Sequence, residues 1–134
     1  MTPEHMAALH ARASTSPWSA ESFAAQLAQS GSILAHKEHA FALGRATLDE
    51  AELLHIATEP DKQRQGLGTQ MLIAFERAAK DQGCTRAFLE VASRNAAAQA
   101  LYTTCGWKVD GRRKDYYRDA DGRRDDALVM SKTL

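Results

Sequence analysis

The stretch QRQGLGTQML, Gln63 to Leu72, sets two glycines beside an arginine and then enters an apolar, helix-like run. Glycine at a helix start costs stability, so the backbone there has a reason to stay bare. Residues Arg64 to Thr69 can aim several unpaired N–H groups outward at the positive end of a helix dipole, an arrangement that suits phosphate. Gly66 and Gly68 remove side chains that would hold such a ligand away, and Arg64 adds charge. The competing reading is a plain flexible loop. Around this loop the pattern is strand, loop, helix, strand. "ELLHIAT" precedes it, a helix runs from about Leu67 to Gln82 with Leu67, Met71, Phe75 and Ala78 on one face, and "RAFLEVA" follows Gly83. Such a unit normally pairs its strands in parallel through a crossover.

Working outward, Thr2-Pro3-Glu4 and "SPWSAESF" each read as helix starts, the second helix with Gly31 as its stop. "SILAHK" and "AFALGRATL" read as strands with a turn near Glu38-His39. A second turn is expected at Asp49-Glu50. "SRNAAAQALYTTCG" reads as a helix capped by Asn95 and stopped by Gly106, and "WKVDGRR" and "DALVMSK" as closing strands. The order α-α-β-β-β-α-β-α-β-β, without repeats or linker, predicts one domain over 1–134 of α/β (α+β) class. One mixed sheet flanked by helices is the natural architecture.

Bulk properties exclude several partners. The 134 residues carry 17 Lys plus Arg and 17 Asp plus Glu, so no global field draws the chain to nucleic acid or membrane. No apolar run approaches the roughly 20 residues of a membrane span, and the N-terminus lacks a signal-peptide layout. Cys84 and Cys105 form no C-x-x-C pair and read as reduced thiols of a cytoplasmic protein. No H-E-x-x-H or similar ligand set is present, so no metal is expected. The composition does not speak to oligomeric state.

The phosphate ligand is narrowed by what the loop lacks. No Lys-Ser or Lys-Thr follows the glycines, and Met71 stands where a dinucleotide fingerprint needs a third glycine. Gln63-Arg64-Gln65-Gly66-Leu67-Gly68 instead resembles the Q-x-x-G-x-G pyrophosphate signature of the GNAT superfamily of acyl-coenzyme A N-acyltransferases. "LEVASRNAAAQALYTTCGW" is similar to the matching run of RimI-type ribosomal-protein-alanine N-acetyltransferases. "SPWSAESF" and "RRKDYYRDADGRRDDALVM" also fit that group, so the likeness spans about Pro17 to Met130. Trp107 replaces the group's usual Phe, "VASRN" differs from the commoner "VRASN", and the first strand of the family is not visible before the first helix.

The resemblance implies a mostly antiparallel sheet with a central parallel strand pair, and acetyl-CoA as co-substrate. It implies that Arg64, Gln65, Gly66, Leu67, Gly68 and Thr69 bind the pyrophosphate. Ile56, Ala57 and Thr58 would pair by their backbone with the pantetheine arm, and Asn95 would touch the cofactor or serve only as a helix cap. Acetyl transfer needs a neutral amine and a proton for the leaving thiolate, tasks for a carboxylate and a phenol. In RimI-like enzymes the residues matching Glu90 and Tyr102 are that base and that acid. Glu90 could instead be an edge-of-sheet ion pair and Tyr102 a packing residue, although a lone Glu within "FLEVA" is costly to bury unused. Direct transfer requires no nucleophile.

The acceptor side reads as a charged loop, "RRKDYYRDADGRRDDA", between the last strands. It is either a solvated hairpin or a wall of a peptide slot, with Tyr116 or Tyr117 packing the first residue and Asp115 holding ammonium or basic groups. The expected acceptor, inherited from the resemblance, is a protein N-terminus, most directly the N-terminal alanine of a small-subunit ribosomal protein. The alternatives are a lysine or small-amine acetyltransferase and, in another class, a non-catalytic acyl-CoA-binding regulatory module.

Overall fold

Local hydrogen bonds begin the helices where the sequence places their caps, in a computed structural model that describes residues 1–118 and 121–134. Helix α1 (Pro3–Ala13) starts on Thr2, whose hydroxyl accepts from the His5 N–H. Helix α2 (Ala20–Leu27) starts on Ser19, which accepts from the Ser22 N–H. Each cap satisfies an amide that the first turn leaves without a helical partner. Gly31 is not the stop of α2, which already ends at Leu27. It serves a close approach instead: φ is +82° and an added Cβ would lie 2.1 Å from the Ala46 carbonyl oxygen.

Three strands follow as an antiparallel meander, β1 (Ser32–Lys37), β2 (Ala40–Thr47) and β3 (Glu50–Thr58). The β2–β3 turn is Leu48-Asp49, one residue before the expected Asp49-Glu50. Thr47 and Glu50 already pair across the hairpin, and Leu48 takes the positive φ of 57° that so tight a turn needs. The crossover helix α3 (Leu67–Asp81) leads to β4 (Arg86–Ala92), which lies parallel to β3 as expected. Helix α4 (Ala96–Thr104) and the strands β5 (Lys108–Arg118) and β6 (Arg124–Thr133) complete the sheet, in the order β1-β2-β3-β4-β6-β5.

Helices cover both faces. Along β2, Phe41 and Leu43 join Met6, Leu9 and Phe23 beneath α1 and α2. Ala40 and Ala42 point the other way, toward Met71, Leu72 and Phe75 of α3. This alternation is the period of two of an extended chain, and it buries β2 on both sides. Each fully buried Phe or Leu contributes roughly 1.5–3 kcal/mol of apolar transfer.

The charged stretch expected as a loop is strand. Lys108–Arg118 is β5 almost to its tip, and pairing resumes at Arg124. Nearly all of β5 is exposed, so its hydrogen bonds to β6, not an apolar alternation, hold it extended. Asp119 and Ala120, at the tip of the expected loop, lie outside the described residues. A register shift between Arg113 and Tyr117 bulges β5, and Asp115 takes φ +53° within it.

Parallel pairing joins only Glu50–Glu52 to Arg86–Phe88. Past Glu52, β3 stays with β2 while β4 stays with β6 as far as Ala92, so the sheet opens into a fork. A bulge between Leu43 and Gly44 in the β2–β3 ladder sits near the start of the fork. Only glycine fits at 44, where a Cβ would lie 2.3 Å from the Glu52 oxygen and 2.4 Å from the Phe75 ring.

Candidate active site

The glycine loop leaves β3 at Thr58, passes through a single 3-10 turn at Pro60–Lys62 and enters α3 at Gly66. The Gln63 side chain donates to the Thr58 carbonyl at 3.3 Å and narrows the loop at its base. Thr2, Ser19 and Asn95 cap their helices with side-chain oxygens, whereas Gly66 has none to offer α3. Its φ of 82° is left-handed and explains why glycine stands there. The first amides of α3, at Leu67, Gly68 and Thr69, are left for an acceptor from outside the helix.

Those amides line a cavity of about 540 Å³. Ile56, Ala57 and Thr58 of β3 form one wall, Arg64 and Gly66 to Thr69 the end, and α4 the other wall through Ala97, Ala98 and Leu101. Gly68 faces α4 closely, since a Cβ there would touch Leu101 at 3.4 Å. Among the described residues no strand pairs with β3 beyond Glu52 on its β4 side. The cavity therefore offers uncapped amides at one end and a free strand edge along its side, which fits a pyrophosphate followed by an extended amide-bearing arm. Gln65 of the expected set does not line it.

A second cavity of about 540 Å³ adjoins the first and shares Ala13, Ile56 and Ala57 with it. Ser14 to Ser16 of the α1–α2 connection, Ala92, Tyr117 and Asp125 line it. Asn95 lines this second cavity, while its side chain accepts from the Ala98 N–H at 3.1 Å as the α4 cap. Asp125 is fixed rather than free. It accepts from Ser93 Oγ at 2.5 Å and from the Arg94 N–H at 3.2 Å, and these bonds hold its carboxyl below the usual range.

Tyr117 feels the charge of Glu90, and Tyr102 that of Tyr117, while neither Glu90 nor Tyr102 lines either cavity. The Glu90 side chain is 19% exposed, with Arg113 Nη2 3.3 Å from its Oε1. Burial, and Glu90 next, push Tyr117 up to about 12. Burial, with Tyr117 adding to it, holds the Tyr102 phenol well above its ordinary value. Tyr102 is buried against Trp107, the ring centroids 6.0 Å apart, so it keeps its proton across the physiological range. Tyr116 is half exposed and packs edge-on against Tyr117 at 5.2 Å. Asp115 faces solvent, its carboxylate 3.8 Å from Arg124, and lines neither cavity.

Several contributors were not singled out from sequence. Glu52 shares a face with Glu90, because it pairs with Phe88 two residues before Glu90. Ala13 and the α1–α2 connection carry no chemistry that marks them. His10 accepts from the Trp18 N–H at 2.9 Å and packs on His55 at 4.9 Å. Burial and then His10 bring His55 down to about 4, so both sit neutral beside the second cavity at neutral pH. One signal was readable: Ala97, Ala100 and Thr104 form a small-residue stripe at helical spacing, where larger side chains would fill the first cavity.

Comparison with known proteins agrees with this geometry. Residues 4–107 match the model of the acetyltransferase (GNAT) family. The chain is 40% identical over 129 residues to the ribosomal protein bS18-alanine N-acetyltransferase of Escherichia coli strain K12, covering 90% of this chain and 83% of that one. The crystal structure of the E. coli ribosomal-protein-S18-alanine N-acetyltransferase superposes with TM-score 0.88 and 34% identity, over 98% of this chain and 87% of that one. A Bacillus anthracis protein in complex with acetyl coenzyme A shares the fold at TM-score 0.72 and 17% identity, over 84% and 68% of the two chains. Among the described residues no helix is long and apolar enough to cross a membrane. The chain belongs to the GNAT acetyltransferase family, as an acyl-CoA-dependent N-acetyltransferase.

Proposed function

We propose that this enzyme acetylates the N-terminal α-amine of ribosomal protein bS18, at its first residue, alanine. The observation that carries the acceptor is the 40% identity, over 90% of the chain, to an enzyme bearing that name. The two adjoining cavities, which share Ile56 and Ala57 of β3, support it, since they offer donor and acceptor separate room beside one stretch of strand.

Acetyl-CoA supplies the acetyl group as an activated thioester. Arg64 and the Leu67–Thr69 amides hold its pyrophosphate, with Gly66 and Gly68 keeping the approach clear. The free edge of Ile56–Thr58 orients the arm by backbone hydrogen bonds. Glu90 takes a proton from the acceptor ammonium and so exposes the lone pair. A free α-amino group has a pKa of about 7.7–8.0, against about 10.4 for lysine, so a carboxylate has far less to remove from an N-terminus. Tyr102 keeps its phenolic proton and gives it to the departing sulfur. Tyr117 packs the first acceptor residue. Asn95 acts through the helix it caps, and Tyr116 supports Tyr117.

Incubation with acetyl-CoA and a peptide of the bS18 N-terminus, followed by tandem mass spectrometry, tests the assignment. The acetyl group is expected on the first residue, with internal lysines unmodified. Acetyl on lysine, or modification of free small amines alone, would overturn it.

A further inference from the structure

Helix α4 supplies one wall of the first cavity from only 9 residues, so the seat of this short helix sets the width of the site. Its start is tied to the end of β4, where Gln99 Nε2 donates to the Ala92 and Ser93 carbonyls at 3.1 and 2.8 Å. Its end closes on a glycine turn. Gly106, at φ +91°, donates to the Thr103 carbonyl, and the Trp107 N–H donates to the Tyr102 carbonyl, both at 3.0 Å. This pair of bonds stops a helix and brings the residue after the glycine back onto its last turn, here Trp107 onto Tyr102.

That contact asks only for a ring at 107, and the Phe usual at this place in RimI-type sequences supplies one. The indole adds a donor. Trp107 is buried, and its Nε1–H reaches Glu76 Oε2 of α3 at 3.2 Å. The other carboxylate oxygen lies 2.6 Å from Lys132 Nζ of β6, and the same ammonium donates to the Cys105 carbonyl at 2.7 Å. The Glu76 side chain is 11% exposed, where a carboxylate without partners is costly. The bonds close a ring that runs from α3 through Trp107 to the end of α4, on to β6 and back to α3.

Two contacts thereby fix α4 against α3. Leu101 faces Gly68 at the glycine end of the cavity, and Trp107 holds Glu76, about two turns further along α3. A helix held at one point can pivot, whereas a helix held at two keeps its distance from the Leu67–Thr69 amides. Leu101 and Thr104, which line the cavity, are the chain neighbours of Tyr102 and Cys105, whose carbonyls the ring of bonds engages.

Resting on acetyl-CoA as the occupant of the first cavity, we propose that Trp107 is a positioning residue: its bond to Glu76, completed by Lys132, holds α4 at the spacing from α3 that acetyl-CoA requires. None of the three side chains lines the cavity. They act through α4, the wall along which the acyl-CoA arm lies.

The test is acetyl-CoA affinity in the folded enzyme, read by calorimetry without acceptor. Trp107→Phe keeps a ring on Tyr102 and removes the donor, and its Kd should rise roughly three- to tenfold. Lys132→Met should raise Kd by a similar factor. Lys132→Arg, which keeps a cation with donors for both oxygens, should bind as wild type does. Trp107→Phe/Lys132→Met should bind no more weakly than the weaker single variant, because either change opens the same ring. In turnover with the alanine-initiated peptide, the KM for acetyl-CoA should rise in step while the KM for peptide holds. Loss of any buried bond lowers Tm, so the affinity of the folded protein separates positioning from plain stability. Wild-type affinity in folded Trp107→Phe and Lys132→Met would overturn the inference, as would equal rises in both KM values, the mark of general loosening. Gly66→Val tells which reading has failed: if it too binds normally, acetyl-CoA lies elsewhere, and if it binds weakly, only the role of Trp107 falls.

Discussion

Arg12, near the end of α1, grips Glu59, which follows the last residue of β3: Nε donates to Oε2 at 2.8 Å, and Nη2 bonds Oε1 as well. The pair joins two walls. Ala13, next to Arg12, lines both cavities, and Glu59 opens the 3-10 turn that leads to the glycine loop. Arg12 holds the Glu59 carboxyl below its usual range.

Breaking this pair should loosen both sites. Arg12→Met is expected to raise KM for peptide and for acetyl-CoA several-fold, with a lower Tm. The pH dependence has a definite sign. A carboxylate depressed in the folded state adds stability above its unfolded value of about 4.3, and loses it as pH falls through the folded one. The Tm gap between wild type and Arg12→Met should be full at pH 7 and close below about pH 4. A gap that persists at low pH would assign the loss to packing.

Gly66→Val should fold and bind acetyl-CoA weakly. Nothing lies within 4 Å of a Cβ at this position, so the penalty is conformational rather than steric. The left-handed φ costs an ordinary residue about 1–2 kcal/mol, and a β-branched one more. The loop is expected to leave that conformation and misdirect its amides. Calorimetry showing wild-type affinity in the folded variant would place the pyrophosphate elsewhere.

Tyr102→Phe should preserve the fold and acetyl-CoA affinity while slowing turnover by roughly 10²–10⁴-fold, the usual worth of a positioned proton donor. Its contact with Trp107 survives loss of the hydroxyl. Turnover near wild type at saturating substrates would leave Tyr102 with packing alone.

Glu90→Gln should lose most activity near pH 7 and recover part of it toward pH 9, as bulk solvent deprotonates an α-amine with a pKa near about 8. The variant also leaves Arg113 without its partner, so the Arg113→Met/Glu90→Gln enzyme separates the two effects. A pH profile parallel to wild type would remove Glu90 from the proton path.

Local structure was readable because its causes are local. A cap reaches three residues and a positive-φ glycine acts where it stands, so β1 and β4 fall on the stretches "SILAHK" and "RAFLEVA". The glycine-opened end of the first cavity was readable for the same reason, being one loop and one helix start. What the tertiary structure alone decided lies between distant segments. Leu48 takes an unfavourable φ because Thr47 and Glu50 pair, and "RRKDYYR" is strand because β6 offers it a ladder. The fork opens because β3 and β4 each prefer a different neighbour past Glu52, which no run of residues in either strand records. Glu90 could be named from its own strand, but Glu52 and Arg113 could not, since their meeting depends on a parallel register, an intervening strand and a bulge. Ladder hydrogen bonds form between backbones whose sequence separation carries no local signature, so which side chains share a face is settled only when the sheet assembles.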